Sequence, residues 1–175
     1  MDPRSNETAG YHLFLEPTGA LNERLQETIR TLAAAYDGPI FPPHVTILAN
    51  LEGNEEDILS HAQMLAQQLP PLTVMLGELG GEPSFFRAFY LTIKEDPELM
   101  SAHEVAQQTF GTPAEPYRPH LSLYYGNIDD GVREAMRSAG EYPSGESFRC
   151  DRLALYRTVG PADQWLRIGE VPFTR

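Results

Sequence analysis

The chain alternates between two hydrophobic periods. Tyr11 to Glu16 (YHLFLE) is a short aromatic and aliphatic run of strand character, ended by Pro17-Thr18-Gly19. Leu21, Leu25, Ile29, Leu32 and Tyr36 then recur at three- and four-residue steps with charges between them, the stripe of an amphipathic helix. Gly38-Pro39 breaks that helix. Pro42-Pro43 leads into His44-Val45-Thr46-Ile47-Leu48, whose β-branched content predicts a strand. Asn54 is a good N-cap before Glu55-Glu56-Asp57, and Ile58, Ala62, Leu65 and Leu69 form the buried stripe of a second helix. Pro70-Pro71 closes it. Leu72 to Leu79 reads as a strand, Gly80-Gly81 as a turn, and Phe85 to Lys94 (FFRAFYLTIK) as the strongest strand signal present. Asp96-Pro97-Glu98 starts a helix that runs to about Phe110. Gly111 to Pro119 is a proline-rich loop before the strand His120 to Tyr125, which Gly126 stops. Asp129-Asp130 caps a short helix, and Phe148 to Arg157 and Trp165 to Val171 complete the pattern as two closing strands.

This order contains a repeat. Strand, helix, histidine-bearing strand, helix and strand occur once and then recur, and each histidine-bearing strand follows a proline, Pro43 or Pro119. No linker or low-complexity segment separates the halves. One domain over residues 1–175 is expected, with lobes of about 11–80 and 81–175 facing each other and the termini free to cross over.

Charge narrows the partners. With 13 Lys+Arg against 25 Asp+Glu the net charge is −12, a surface that repels long polyanions, because nucleic-acid affinity comes largely from basic contacts to phosphates. Extended RNA or DNA is therefore not expected as a partner. A small anion remains open, since screening over ~8 Å lets a local pocket oppose the global sign. The single Cys150 allows neither an internal disulfide nor a cysteine-based zinc site. The polar N-terminus lacks the basic and apolar regions of a signal peptide, and no run of about 18 apolar residues is present. The expectation is a cytoplasmic monomer that touches no membrane.

The chemistry lies in two matching segments. His44-Val45-Thr46-Ile47 and His120-Leu121-Ser122-Leu123 share the pattern Pro-His-apolar-hydroxyl-apolar. Side chains alternate faces on a strand, so each segment presents one imidazole and one hydroxyl together and buries its two apolar residues behind them. If the halves pack about a pseudo-twofold, one surface holds both pairs. Opening a cyclic phosphate needs this set. Attacking water must lose a proton, the leaving oxygen must gain one, and two imidazoles on opposite sides of the phosphorus can exchange both. The hydroxyls can donate to the non-bridging oxygens. Neither a metal nor a cofactor is required.

The two motifs resemble those of the two-histidine (2H) phosphoesterase superfamily, and within it the cyclic phosphodiesterase branch. The likeness is carried by Tyr117-Arg118-Pro119-His120-Leu121-Ser122-Leu123-Tyr124-Tyr125-Gly126, by Pro43-His44-Val45-Thr46, and by Phe85-Phe86-Arg87-Ala88-Phe89-Tyr90. The resemblance implies a bilobal α+β fold with antiparallel sheets lining a central cleft and helices outside. It implies hydrolysis of 2′,3′-cyclic nucleotides or ADP-ribose 1″,2″-cyclic phosphate. It also implies aromatic stacking on the substrate base, for which Tyr125 and Phe86 are the matching positions. The same resemblance implies that 2′,3′-cyclic nucleotides yield 2′-phosphates with O3′ leaving; a base stacked on Tyr125, three residues beyond Ser122, then puts His120 on the attacking water and His44 on O3′, with the swapped assignment left open by the pseudo-symmetry.

The other histidines carry less. His61 and His103 sit in helices without a metal-ligating partner at i+4, and His12, opposite the Leu13–Leu15 face, either borders the cleft or is an ordinary partly exposed strand residue. Arg118 either offsets substrate charge or is a solvated loop residue. Two further readings use the same cleft: processing of RNA ends or 2′,5′-linked oligonucleotides, and nucleotide binding without turnover.

Overall fold

The computed structural model describes Asp2 and residues 4–175. Eight strands and four helices run in the order β1 (Tyr11–Leu15), α1 (Gly19–Tyr36), β2 (Val45–Leu51), α2 (Glu55–Ala66), β3 (Leu72–Gly80), β4 (Phe89–Ile93), α3 (Pro97–Phe110), β5 (His120–Tyr124), α4 (Asp130–Ala139), β6 (Ser147–Cys150), β7 (Arg152–Arg157) and β8 (Leu166–Pro172). The helix starts follow local rules. Asn54 accepts from the Asp57 amide, Asp96 from Glu98 and Leu99, and Asp129 from Val132, each satisfying amides that a helix N-terminus leaves unpaired.

All strands pair antiparallel in the order β6-β3-β4-β5-β2-β1-β7-β8, so the fold is α+β with one curled sheet. Its two halves, β2-β1-β7-β8 and β5-β4-β3-β6, mirror one another and meet at a seam where Val45 pairs with Leu121. Only Asp151 separates β6 from β7, so the sheet bends until that edge strand and β7 come together at a corner.

The half-sheets do not coincide with residues 11–80 and 81–175. The first half of the chain sends β3 across to pair with β4, and the second sends β7 back to pair with β1. The helices exchange as well, α1 packing on β5 and α3 on β2. The connecting helix α2, which rests on α3, β7 and β8, carries the chain over.

Two strand assignments change. Phe85–Arg87 is a 3-10 turn, and β4 begins only at Phe89. The hairpin from β3 must close there: the Glu82 amide donates to the Arg87 carbonyl and the Arg87 amide to Ser84. Phe148 to Arg157 is not one strand, because Asp151 turns the chain from the edge of one half-sheet into the other.

One face of the sheet is the core. Leu13, Leu15, Val45, Leu121 and Leu155 are fully buried there against Leu25, Ile58, Leu65, Leu99 and Ala106 of the helices. Burial of a Leu or Val side chain contributes on the order of 1.5–3 kcal/mol. Among the described residues no helix is long and apolar enough to cross a membrane.

Candidate active site

The seam register builds the site. With Val45 opposite Leu121 in an antiparallel pair, His44 falls opposite Ser122 and Thr46 opposite His120. Val45 and Leu121 point into the core, so the alternation of the strands turns all four polar side chains to the other face. Opposite partners have Cβ atoms about 4.5–5.5 Å apart and diagonal ones about 7–8 Å, so the imidazoles occupy opposite corners of a small rectangle and the hydroxyls the other two.

The backbone repeats this symmetry in its irregularities. Phe14 pairs with Thr46 and Leu13 with Leu48; Tyr90 pairs with Ser122 and Phe89 with Tyr124. Each motif strand therefore carries one extra residue immediately after its hydroxyl, Ile47 or Leu123, a β-bulge. The second bulge decides where Tyr125 goes. Strict alternation from Ser122 would send Tyr124 to the site face and Tyr125 to the core. The bulge reverses them: Tyr124 packs in the core with Phe89, and Tyr125 joins Phe41, Phe86 and Trp165 beside His44.

His44 lies under an aromatic roof. Its ring stacks on Phe14 with centroids 3.7 Å apart, with Trp165 at 6.0 Å and Phe41 at 6.3 Å. Nδ1 lies 2.6 Å from the Pro42 carbonyl, and Nε2 faces the Tyr125 hydroxyl at 3.5 Å, the limit of hydrogen bonding. Burial pushes this imidazole down to about 3; the Pro42 contact works against that, and His12 and His120 add to it.

His120 is half-buried and sits among charges. Nδ1 lies 2.7 Å from Arg87 Nη1 and 3.1 Å from the Arg118 carbonyl, and the ring meets Tyr90 edge-on at 5.1 Å. Burial, then the Arg87 cation, lowers it to about 4. Glu82 accepts from Arg87 at 2.9 Å, from Tyr90 at 3.1 Å and from Arg118 at 3.2 Å. Burial alone would raise the Glu82 carboxyl; these partners outweigh it and hold it below the usual range. Both imidazoles are thus neutral at pH 7.

The hydroxyls differ. Ser122 is buried and its Oγ donates to the Phe86 carbonyl at 3.1 Å. Thr46 is half-buried, and its carbonyl accepts from the Tyr117 hydroxyl at 2.9 Å. A cavity of about 370 Å³ opens beside Thr46 and His120, lined also by Ala49, Asn50, Tyr117 and Arg118. Tyr125 is the pseudo-symmetric counterpart of Ala49, so the site face is open beside His120 and filled by aromatic rings beside His44.

Tyr125 presents no free face in this structure: it is 3% exposed and stacked on Phe41 at 3.8 Å. Phe86 is half-buried, edge-on to Tyr125 at 5.1 Å and parallel to Trp165 at 6.2 Å. His12, expected to be partly exposed, is buried on the site face between Phe14 and Trp165 and is lowered to about 4, chiefly by burial. His103 is a packing residue, stacked on Tyr117 at 4.1 Å with Nδ1 against the Ile47 carbonyl at 2.8 Å. Sequence reasoning missed Arg87 and Trp165. Arg87 was hidden inside a run read as strand. Trp165, the one tryptophan of the chain, was assigned to a strand it only precedes. Among the described residues no group of three or more His, Cys, Asp or Glu side chains is placed to hold a metal ion.

A duplicated sheet with one His-x-hydroxyl pair on each seam strand defines the class of two-histidine phosphoesterases. Residues 16–162 match the family model of the 2′-5′ RNA ligase superfamily, and the chain belongs to that family. It is 28% identical over 153 residues to an Arabidopsis thaliana protein named cyclic phosphodiesterase, covering 85% of this chain and 84% of the relative. It is 24% identical over 211 residues to a 2′,3′-cyclic-nucleotide 3′-phosphodiesterase of Yarrowia lipolytica, covering 91% and 98%. A crystal structure of E. coli LigT complexed with NADP+ shares the fold, with a TM-score of 0.62 at 16% identity, covering 98% of this chain and all of that one.

Proposed function

We propose that this phosphoesterase hydrolyses cyclic phosphodiesters of nucleotide size, 2′,3′-cyclic nucleotides and ADP-ribose 1″,2″-cyclic phosphate being the substrates to try first. The observation that carries the reading is the seam register, which assembles two imidazoles and two hydroxyls on one face with the imidazoles at opposite corners. A phosphorus between them has a proton acceptor on one side and a proton donor on the other, the arrangement in-line displacement by water requires. Thr46 and Ser122 donate to the non-bridging oxygens once Ser122 turns from the Phe86 carbonyl. Phe86 is the aromatic on offer to a base, and Tyr125 joins it only if its ring gives up the stack on Phe41. The names of the Arabidopsis and Yarrowia relatives support this substrate class, and the net charge of −12 disfavours long RNA.

The test is a substrate panel in excess EDTA. Turnover should survive the chelator, and His44→Ala and His120→Ala should each lose at least ~10²-fold in kcat. The double variant should be little worse than either single one, because groups acting as a unit are not additive. Complete loss in EDTA restored by zinc or manganese, or near-normal turnover in either folded single variant, would overturn the reading.

A further inference from the structure

The two imidazoles are held differently. His44 Nδ1 lies 2.6 Å from the Pro42 carbonyl, which can only accept, so Nδ1 carries the hydrogen and Nε2 is bare. His120 Nδ1 lies 2.7 Å from Arg87 Nη1. A guanidinium has donors and no acceptor, so this Nδ1 must accept, and the ring hydrogen sits on Nε2. The Arg118 carbonyl, 3.1 Å from the same Nδ1, is 3.4 Å from Arg87 Nη1, so one nitrogen with two hydrogens serves both acceptors. Arg87 is itself fixed, by Glu82 at 2.9 Å and by the Tyr90 ring, 4.8 Å beneath its guanidinium carbon.

We propose that Arg87 is a positioning residue that holds His120 as its Nε2–H tautomer, so that His120 protonates the leaving oxygen and His44 takes the proton from water. The inference rests on the phosphodiesterase reading of the site and reverses the roles that the sequence resemblance implies. Water oxygen bonds to phosphorus and its proton passes to His44 Nε2. The bond from phosphorus to the leaving oxygen breaks, its electron pair stays on that oxygen, and the His120 Nε2 proton joins it. The negative charge left on the His120 ring is balanced by the Arg87 guanidinium at Nδ1. The extra proton on His44 returns to His120 through the product phosphate, which completes the cycle with one water consumed.

The charged and titratable groups facing His120 are Arg87 from the 3-10 turn, Glu82 from the hairpin before it, Tyr90 from β4, Arg118 from the loop before β5, and His44 across the seam. None requires a charged His120 at neutral pH. The rate should therefore rise with pH up to about 5 and then stay level to pH 9, with no falling limb near 7.

Nitrogen-15 NMR of the histidine rings in the free protein reads the tautomers directly. The expected spectrum has His44 protonated on Nδ1 and His120 on Nε2. Arg87→Lys, still donor-only, keeps that pattern. Arg87→Met moves the His120 hydrogen to Nδ1, where the Arg118 carbonyl accepts it, and lowers kcat by about 10²-fold. On a 4-nitrophenyl phosphodiester, whose leaving group needs little acid help, the losses of Arg87→Met and His120→Ala should shrink to a few-fold while that of His44→Ala persists. An Nδ1–H on His120 in the unmodified protein, or rescue of His44→Ala in place of His120→Ala, overturns the inference. Absence of turnover on every cyclic phosphodiester would instead overturn the proposed function, and the spectrum would still decide the tautomer.

Discussion

Tyr117 shows how much of the site is set one layer away from it. Its ring stacks on His103, its hydroxyl donates to the Thr46 carbonyl, and burial pushes that hydroxyl well above the usual tyrosine range. The two contacts tie α3 and the loop before β5 to the first motif. Tyr117→Phe keeps the stacking and leaves the Thr46 carbonyl without its donor. A loss of about 1 kcal/mol is expected, seen as a lower denaturant midpoint at unchanged slope. An unchanged midpoint would show that water replaces the hydroxyl at no cost.

At the scale of elements, α1 packs against β5 through one closely fitted ring. The core ring of Tyr124 is wedged between the backbones of Gly38 and Gly126, and its hydroxyl donates to the Tyr36 carbonyl at 2.7 Å. A methyl group at Gly38 would sit 2.4 Å from that ring. Gly38→Ala should therefore cost about 1–3 kcal/mol through overpacking, measurable in equilibrium unfolding. A neutral result would mean the helix end slides away freely. The elements themselves were largely legible in sequence, because caps, proline breaks and the two hydrophobic periods are local signals. The shared face of His44 with Thr46, and of His120 with Ser122, was legible for the same reason. What escaped needed information from elsewhere in the chain. The parity of Tyr124 and Tyr125 depends on a bulge set by pairing with β4. The 3-10 turn at Phe85 depends on where β3 ends. The burial of His12 depends on Trp165, more than 150 residues away.

For the whole molecule, the buried imidazoles set the acid limit. His44, His120 and His12 stand at about 3, 4 and 4 in the folded protein, below the ordinary value of 6.5. Between those values the unfolded chain binds protons that the folded one refuses, so stability is full above about 6.5 and falls as the pH drops toward 4. Each group contributes a slope of up to about 1.4 kcal/mol per pH unit. Urea midpoints measured from pH 8 to pH 4.5 should fall steeply below 6. His12→Asn should flatten that fall, because one imidazole fewer then takes up a proton on unfolding; an identical slope would mean that His12 is already charged when folded.

The exchange of strands also governs how the chain is made. β1 needs β7 beside it, and β7 is made more than 130 residues later. The first 80 residues cannot complete a sheet of their own, because β3 belongs beside β4 and β6 and the helix over β2 is α3. The nascent N-terminal half therefore waits with α1 and the open edges of β1 and β2 uncovered, a state in which chaperones or a neighbouring copy find unpaired edges. Two interrupted copies of one unit would each have to borrow from the other, and one continuous chain removes that dependence. The seam itself waits only for β5, so a product of synthesis cut short before His120 has one of the two motif strands and no partner for it.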